Sequence, residues 1–336
     1  MFFSLKSNKM LFLFILLTST LLSISSNSWF GCWMGLEINL LSFIPLISNS
    51  KNLMSNEASL KYFLIQSIAS INFLFMILLK LMLINFFFNS ILILMMNLPL
   101  LMKMGSTPFH FWFPNIVEGM SWINNFILMT WQKITPMILL SYIFNKNLLI
   151  FSLIMNSIIG AIGGLNQTSL RKILAFSSIN NLSWMISSLM ISENLWLLYF
   201  LFYSFLISIM CFMFNNFNMY FINQLFMMNM NPMLKISFLI NFLSLGGLPP
   251  FMGFFYKWII INFLMINNFK IILFIFIMMS LILLFFYIRI SYSSLMFNYL
   301  KLKWLKILSK NYNNNIIILI TMISITGMIF SNLFFL

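Results

Sequence analysis

Charge is scarce in this sequence. Only 7% of its 336 residues are charged; aspartate does not occur, glutamate occurs four times, histidine once and cysteine twice. These shortages exclude several kinds of chemistry. Cys32 and Cys211 lie in separate apolar runs and make no disulfide framework, and a thiolate-held iron–sulfur cluster would need about four cysteines. A single histidine, His110, rules out bis-histidine haem ligation within the chain. Neither a GxGxxG run nor a P-loop is present. No cofactor or metal is expected in this chain, and any redox chemistry it serves is carried by other chains.

Valine, alanine and arginine are also rare. Valine occurs once (Val117), alanine four times and arginine twice, against 42 phenylalanines and 30 methionines. Enrichment in Phe, Ile, Met, Asn and Leu points to a very AT-rich gene. The methionine content also fits a code in which an AT-rich codon reads as Met. A mitochondrial genome accounts for both.

What the chain has in quantity is apolar sequence. It is 62% hydrophobic with a mean hydropathy of +1.02. Runs near twenty residues recur, the length a helix needs to cross a hydrocarbon core of about 30 Å. The fold class is therefore an all-α polytopic membrane protein. The pattern predicts eleven transmembrane helices, at about 8–26, 29–48, 58–80, 90–111, 122–143, 148–164, 172–191, 195–217, 233–262, 270–291 and 314–335. Loops are short, so residues 1–336 form one membrane domain. The first run lacks a small-residue cleavage site and reads as a retained helix rather than a signal peptide. The longest connection, 292–313, contains KLKWLKILSK and reads as a short amphipathic helix on the membrane surface.

The net charge of +14 is scattered between apolar runs, with no basic patch or aromatic platform for nucleic acid. Assigning loops alternately to two sides gives one side Lys6, Lys9, Lys51, Lys61, Arg171, Lys172, Lys235, Arg289, Lys301, Lys303, Lys306 and Lys310. The other side receives Lys80, Lys146 and Lys270. This bias supports eleven crossings and places the N-terminus on the basic, matrix-like side and the C-terminus opposite. Trp29, Trp112, Trp122 and Trp258 flank apolar runs and read as interfacial anchors.

Two stretches interrupt the apolar pattern. LPLLMKMGSTPFHFWFPNIVEG (98–119) contains Gly105 and Pro108; FLSLGGLPPFMGFFYKW contains Gly246, Gly247, Pro249 and Pro250. Backbone groups freed by such breaks must be buried in protein or line a wet cavity. The breaks fall in helices 4 and 9. An offset of five makes the units 8–143 and 148–291 two inverted five-helix repeats, the pattern of a transporter fold, with 314–335 as an extra C-terminal helix.

Three lysines belong to no loop: Lys103, Lys133 and Lys257. Glu37 joins them in the middle of helix 2, whereas Glu57, Glu118 and Glu193 sit at helix ends, where solvation suffices. A lysine at membrane depth costs about 2.5–3.5 kcal/mol on insertion scales. Glu37 and Lys103, of opposite sign, read either as a static ion pair or as a protonation switch. Lys133, in TWQKITP, has no acid near it in sequence and lies about two turns from either helix end. It reads as a proton carrier, or as a snorkelling side chain. Lys257, nearer a helix end, carries the same two readings. His110 either relays protons or bonds a backbone carbonyl freed by the break.

The motifs KMGSTPFHFWFPNIVEG (103–119), GGLNQTSLRKILAFSSINNLSWM (163–185) and LGGLPPFMGFFYKW (245–258), with ASLKYFLIQSIAS (58–70), carry a family resemblance. Along essentially its whole length the chain resembles the antiporter-like subunit 2 family of mitochondrial NADH–ubiquinone oxidoreductase, respiratory complex I. The resemblance implies a proton-pumping subunit of the membrane arm, multi-pass in the mitochondrial inner membrane. The family's helix-2 glutamate matches Glu37, its broken-helix lysine Lys103, its central lysine Lys133 and its distal lysine Lys257. Relatives commonly have histidine where this chain has Asn181, so water or Ser178 would serve any role that histidine has. The resemblance also implies that NADH, FMN, Fe–S clusters and ubiquinone belong to other subunits. The partners it implies are other membrane-arm subunits, chains 4 and 4L among them, accessory subunits and lipids. The alternative is a stand-alone cation/proton antiporter.

Overall fold

The structure is a computed structural model and describes residues 7–49, 51–82, 89–227, 232–296, 318–319 and 321–325. The stretch around KLKWLKILSK and most of the predicted eleventh helix lie outside them. Among the described residues the chain is helical, with one isolated bridge, between Ser169 and Phe221. Two compact units divide it, Met1–Ser152 and Leu153–Leu336.

The first unit contains α1 (Ser7–Ser25), α2 (Trp29–Ile47), α3 (Leu53–Met82), α4 (Asn89–Met104), α5 (Trp112–Gly119), α6 (Trp122–Met129) and α7 (Trp131–Tyr142). The unit boundary falls inside α8 (Lys146–Gly164). The second unit continues with α9 (Leu170–Ile191), α10 (Glu193–Asn216), α11 (Ile222–Met227), α12 (Pro232–Gly246), α13 (Met252–Ile266) and α14 (Lys270–Met296). Among the described residues, six helical stretches are long and apolar enough to cross a membrane: Ser7–Ser25, Trp29–Ile47, Leu53–Met82, Lys146–Gly164, Glu193–Asn216 and Lys270–Tyr292.

Local chemistry sets the helix ends. Ser28 caps α2 by accepting from the Gly31 N–H at 3.2 Å, and Ser192 caps α10 by accepting from Leu195 N–H at 3.3 Å. Among the described residues, four helices close with a left-handed residue just past their C-termini: Gly105 after α4, Asn218 after α10, Gly247 after α12 and Asn268 after α13. At each, the left-handed residue donates to the carbonyl three residues back and its successor to the carbonyl five back, as in Gly105 to Met102, 3.2 Å, and Ser106 to Leu101, 3.1 Å. This is the Schellman arrangement, and it satisfies carbonyls that lipid cannot.

The segment predicted as helix 5 is divided at Thr130, with α6 before it and α7 after it. The Thr130 hydroxyl donates to the Phe126 carbonyl at 2.6 Å, a back-bond that bends helices. Pro136 adds to the local strain on the ladder, because it offers the Gln132 carbonyl no N–H.

α9 explains how a polar helix sits in an apolar protein. It carries seven Ser or Asn residues between Ser177 and Ser188, and every position from Ser177 to Leu189 is buried. Its serine hydroxyls turn back on their own helix; Ser177, Ser183, Ser187 and Ser188 each donate to the carbonyl three residues earlier, at 2.6–2.9 Å. The helix is the interior of the second unit, shielded by its neighbours. Trp112 and Trp122 correct the expectation of interfacial anchors: both are buried in the core of the first unit, while Trp29 and Trp258 are half-buried.

Candidate functional site

The candidate site of the first unit is built where α4 stops. Gly105, at a φ of 70°, ends the helix, and a side chain there would collide with Phe113, whose Cβ lies 2.9 Å from the place a Cβ would occupy. Lys103 is in the last turn, where a cation suits the partial negative charge of the helix end. Its carbonyl accepts from Gln66 Nε2 on α3 at 3.1 Å. Its side chain, 7% exposed, lines a cavity of about 10 Å³ together with Asn39, Tyr62, Gln66, Gln132 and Thr135. That volume is room for about one water. The lining is mostly polar, with Leu36, Leu40 and Pro136 completing it. Gln132 Nε2 donates to Asn39 Oδ1 at 2.7 Å, which fixes one wall, and the buried Thr135 hydroxyl has no protein partner.

Glu37, on α2, is half-buried. Its charge acts on Lys103 through space, yet among the described residues no ion pair joins the two. Neither group is locked by the other.

Lys133 is the most buried of the described lysines, 1% exposed on α7. Its ammonium sits over the Phe113 ring, 5.3 Å from the centroid, a cation–π contact. Phe113 thus touches both the α4 terminus and Lys133. His110, in the segment between α4 and α5, donates from Nδ1 to the Pro108 carbonyl at 3.3 Å and lies against Phe111. That carbonyl lies in the Gly/Pro segment that separates α4 from α5.

In the second unit, Lys257 is 5% exposed. Its Nζ donates to the Gly246 carbonyl, the last of α12, at 3.1 Å. The amine therefore closes the end of a helix across the Gly247–Phe251 segment instead of reaching for the surface. Among the acids expected at helix ends, Glu57 pairs with Lys61 at 2.5 Å in an exposed position, and Glu193 is exposed in the first turn of α10. Both cysteines are buried and free, and among the described residues no cluster of His, Cys, Asp or Glu could hold a metal.

Sequence reasoning missed the neutral polar residues. Asn39, Gln66, Gln132 and Thr135 form most of the polar wall around Lys103. Their signal was present, since each is a polar residue inside an apolar run.

The comparisons with known proteins are consistent and extensive. The family described as NADH:quinone oxidoreductase/Mrp antiporter, TM, matches residues 26–283. The NADH-ubiquinone oxidoreductase chain 2 of Anopheles gambiae is 49% identical over 335 residues, covering 96% of this chain and 97% of that protein. Among solved structures, a chain of respiratory complex I from Thermus thermophilus with bound Aureothin superposes with a TM-score of 0.84 at 18% identity, covering 96% of this chain and 78% of that one. A chain of the Mrp complex from Dietzia sp. DQ12-45-1b gives 0.79 at 12% identity, covering 96% and 75%.

Proposed function

The chain belongs to the NADH:quinone oxidoreductase/Mrp antiporter membrane family, alongside the NADH-ubiquinone oxidoreductase chain 2 proteins, and from that premise we propose that it is a proton-translocating subunit of the membrane arm of that enzyme. The observation that carries the reading is the burial of three lysines in an apolar helical protein, one of them, Lys103, on a cavity with room for about one water. A buried amine with water beside it can take up and release a proton, and it is expensive to keep for packing alone.

In this reading quinone reduction in other subunits changes the charge or hydration of the membrane arm. Glu37 and Lys103 change their separation, Lys103 perturbs Lys133, and Lys257 serves the second unit. Water in the small cavity is the carrier next to Lys103. Phe113, placed against both the α4 end and Lys133, transmits movement of one to the other. His110 orders the segment between α4 and α5 through its bond to Pro108.

The finer architecture belongs to the same proposal. Eleven crossings, with helices 4 and 9 broken at the Gly/Pro segments, form two inverted five-helix repeats and an added C-terminal helix. The protein sits in the mitochondrial inner membrane with its N-terminus on the matrix side and its C-terminus in the intermembrane space, beside chains 4 and 4L. NADH, FMN, Fe–S clusters and ubiquinone are held by other subunits. Support comes from the charge split between loops and from the left-handed glycines that end α4 and α12.

The test is Lys103→Met in the assembled enzyme, since methionine keeps the volume and removes the charge. Proton-coupled NADH oxidation should fall at least about tenfold, as expected for loss of a proton-transfer group, with assembly retained. Unchanged coupled turnover would overturn the reading. The family's description also names the Mrp antiporter, and from it comes a second reading, a stand-alone cation/proton antiporter. It predicts cation–proton exchange by the purified chain in liposomes, which the subunit reading does not.

A further inference from the structure

The second unit buries four tyrosines that the proposal above leaves unused. Tyr199 and Tyr203 lie one turn apart on α10, Tyr256 is on α13 and Tyr287 on α14; none is more than 1% exposed. Three of them meet one face of α9. Tyr199 Oη donates to Asn181 Oδ1 at 2.8 Å, Tyr203 bonds the Ser178 side chain, and Tyr287 Oη points toward Ser177 without reaching hydrogen-bond geometry. Ser177, Ser178 and Asn181 share that face because residues three and four apart on a helix are neighbours. The serine hydroxyls give their protons to α9 carbonyls; Ser177 donates to Leu174 and Ser178 to Ala175. Their lone pairs are left to accept.

Tyr256 sits among the other three. Its ring meets Tyr199 edge to face at a centroid distance of 4.5 Å, and its hydroxyl is within electrostatic reach of Tyr199, Tyr203 and Tyr287. That hydroxyl is buried and has no protein partner. A buried hydroxyl without a partner is rare in native proteins, and ordered water is its usual complement. The cluster also adjoins Lys257. The Tyr287 ring packs against Gly246, the residue whose carbonyl accepts from Lys257 Nζ.

We propose that Tyr256 and Tyr287, in a site walled by Tyr199, Tyr203, Ser177, Ser178 and Asn181, form a water-binding proton relay within the second unit that serves Lys257. The inference rests on the reading of Lys257 as a proton-carrying residue. The Tyr256 and Tyr287 hydroxyls, which have no protein partner, each accept a proton from one water on a lone pair while releasing their own to the next water, whereas the Tyr199 and Tyr203 hydroxyls stay bonded to Asn181 and Ser178 and fix the wall of the site. Only O–H and N–H bonds form and break, the tyrosines end each passage neutral, and no redox partner is needed. Water at Tyr256 joins the segments that direct hydrogen bonds leave apart. A cluster kept for packing makes the opposite prediction, because Tyr256→Phe would then remove an unsatisfied polar group and be neutral or stabilising.

The experiment compares Tyr256→Phe, Tyr287→Phe and Lys257→Met in the assembled enzyme. The relay predicts wild-type amounts of assembled enzyme for both phenylalanine variants, with proton-coupled turnover lowered at least about fivefold, less than for a group that itself carries the proton. If Lys257→Met abolishes coupling and both phenylalanine variants retain it, the relay is overturned and the reading of Lys257 stands. If Lys257→Met retains full coupling, that reading fails, and the relay is left with nothing to serve. A second measurement is independent of activity. A cryo-electron microscopy map that resolves water should show density about 2.8 Å from Tyr256 Oη; a dry apolar contact there overturns the relay.

Discussion

Gly247→Ala perturbs Lys257 without altering the lysine. Gly247 has a φ of 85°, a conformation that costs a residue with a Cβ about 1–2 kcal/mol. A methyl placed there would stand 3.0 Å from Lys257 Nζ and 3.1 Å from its Cδ, with the Gly253 carbonyl oxygen 3.4 Å away on another side. The lysine must give by a few tenths of an ångström, which strains its hydrogen bond to the Gly246 carbonyl, a bond worth at most about 1.5–3 kcal/mol. Gly246→Ala is the control one residue away. There the nearest atoms to the added methyl are Leu284 Cγ at 3.5 Å and Tyr287 Cδ2 at 3.6 Å, ordinary contacts, and the position is the last of α12. The assay is the amount of assembled enzyme on native gels, its thermal inactivation, and the proton-to-electron ratio of what assembles. Gly247→Ala should lower all three and Gly246→Ala should leave them near wild type. If the two variants behave alike, Lys257 is not held where this reasoning places it, or its placement does not matter.

Three further outcomes are expected. Glu37→Gln combined with Lys103→Met should assemble better than the sum of the single variants, by about 1 kcal/mol of coupling, because the charges act through space without a direct ion pair; strict additivity would reject the coupling. Gln66→Leu, which strips the Lys103 carbonyl of its donor, should destabilise the assembled enzyme by about 1–3 kcal/mol, read as a lower inactivation temperature; an unchanged temperature means the α4 end does not depend on that bond. Membrane-impermeant amine reagents should label Lys61 and Lys172 from the matrix side; labelling from the intermembrane space would reverse the orientation read from the positive-inside rule.

The residues that stood out in the sequence were those with formal charge. A lysine or glutamate in an apolar run is conspicuous to hydropathy, so Glu37, Lys103, Lys133 and Lys257 could be singled out without coordinates. Gly105 and Gly247 were equally visible, because few residues other than glycine serve at positive φ. Neutral polarity was much harder to read. Thr130 gave no sign that its hydroxyl would divide α6 from α7, since a threonine inside a helix ordinarily passes unnoticed. Tyr199, Tyr203, Tyr256 and Tyr287 looked like ordinary aromatics in a chain with 42 phenylalanines. What distinguishes them is that their hydroxyls converge from three helices, and convergence across helices leaves no periodic trace in one sequence. Trp112 and Trp122 failed in the opposite direction: their position at the edge of apolar runs suggested the membrane interface, but packing drew both into the core.

The central claim, that buried lysines of this chain carry protons, is tested most directly at Lys133, which is 1% exposed. The measurement is the proton-to-electron ratio of assembled enzyme carrying Lys133→Met, reconstituted in liposomes and driven by NADH. The account predicts that the enzyme assembles and that the ratio, or the coupled rate, falls. Unchanged NADH oxidation with an unchanged proton-to-electron ratio would contradict it and remove Lys133 from the pathway.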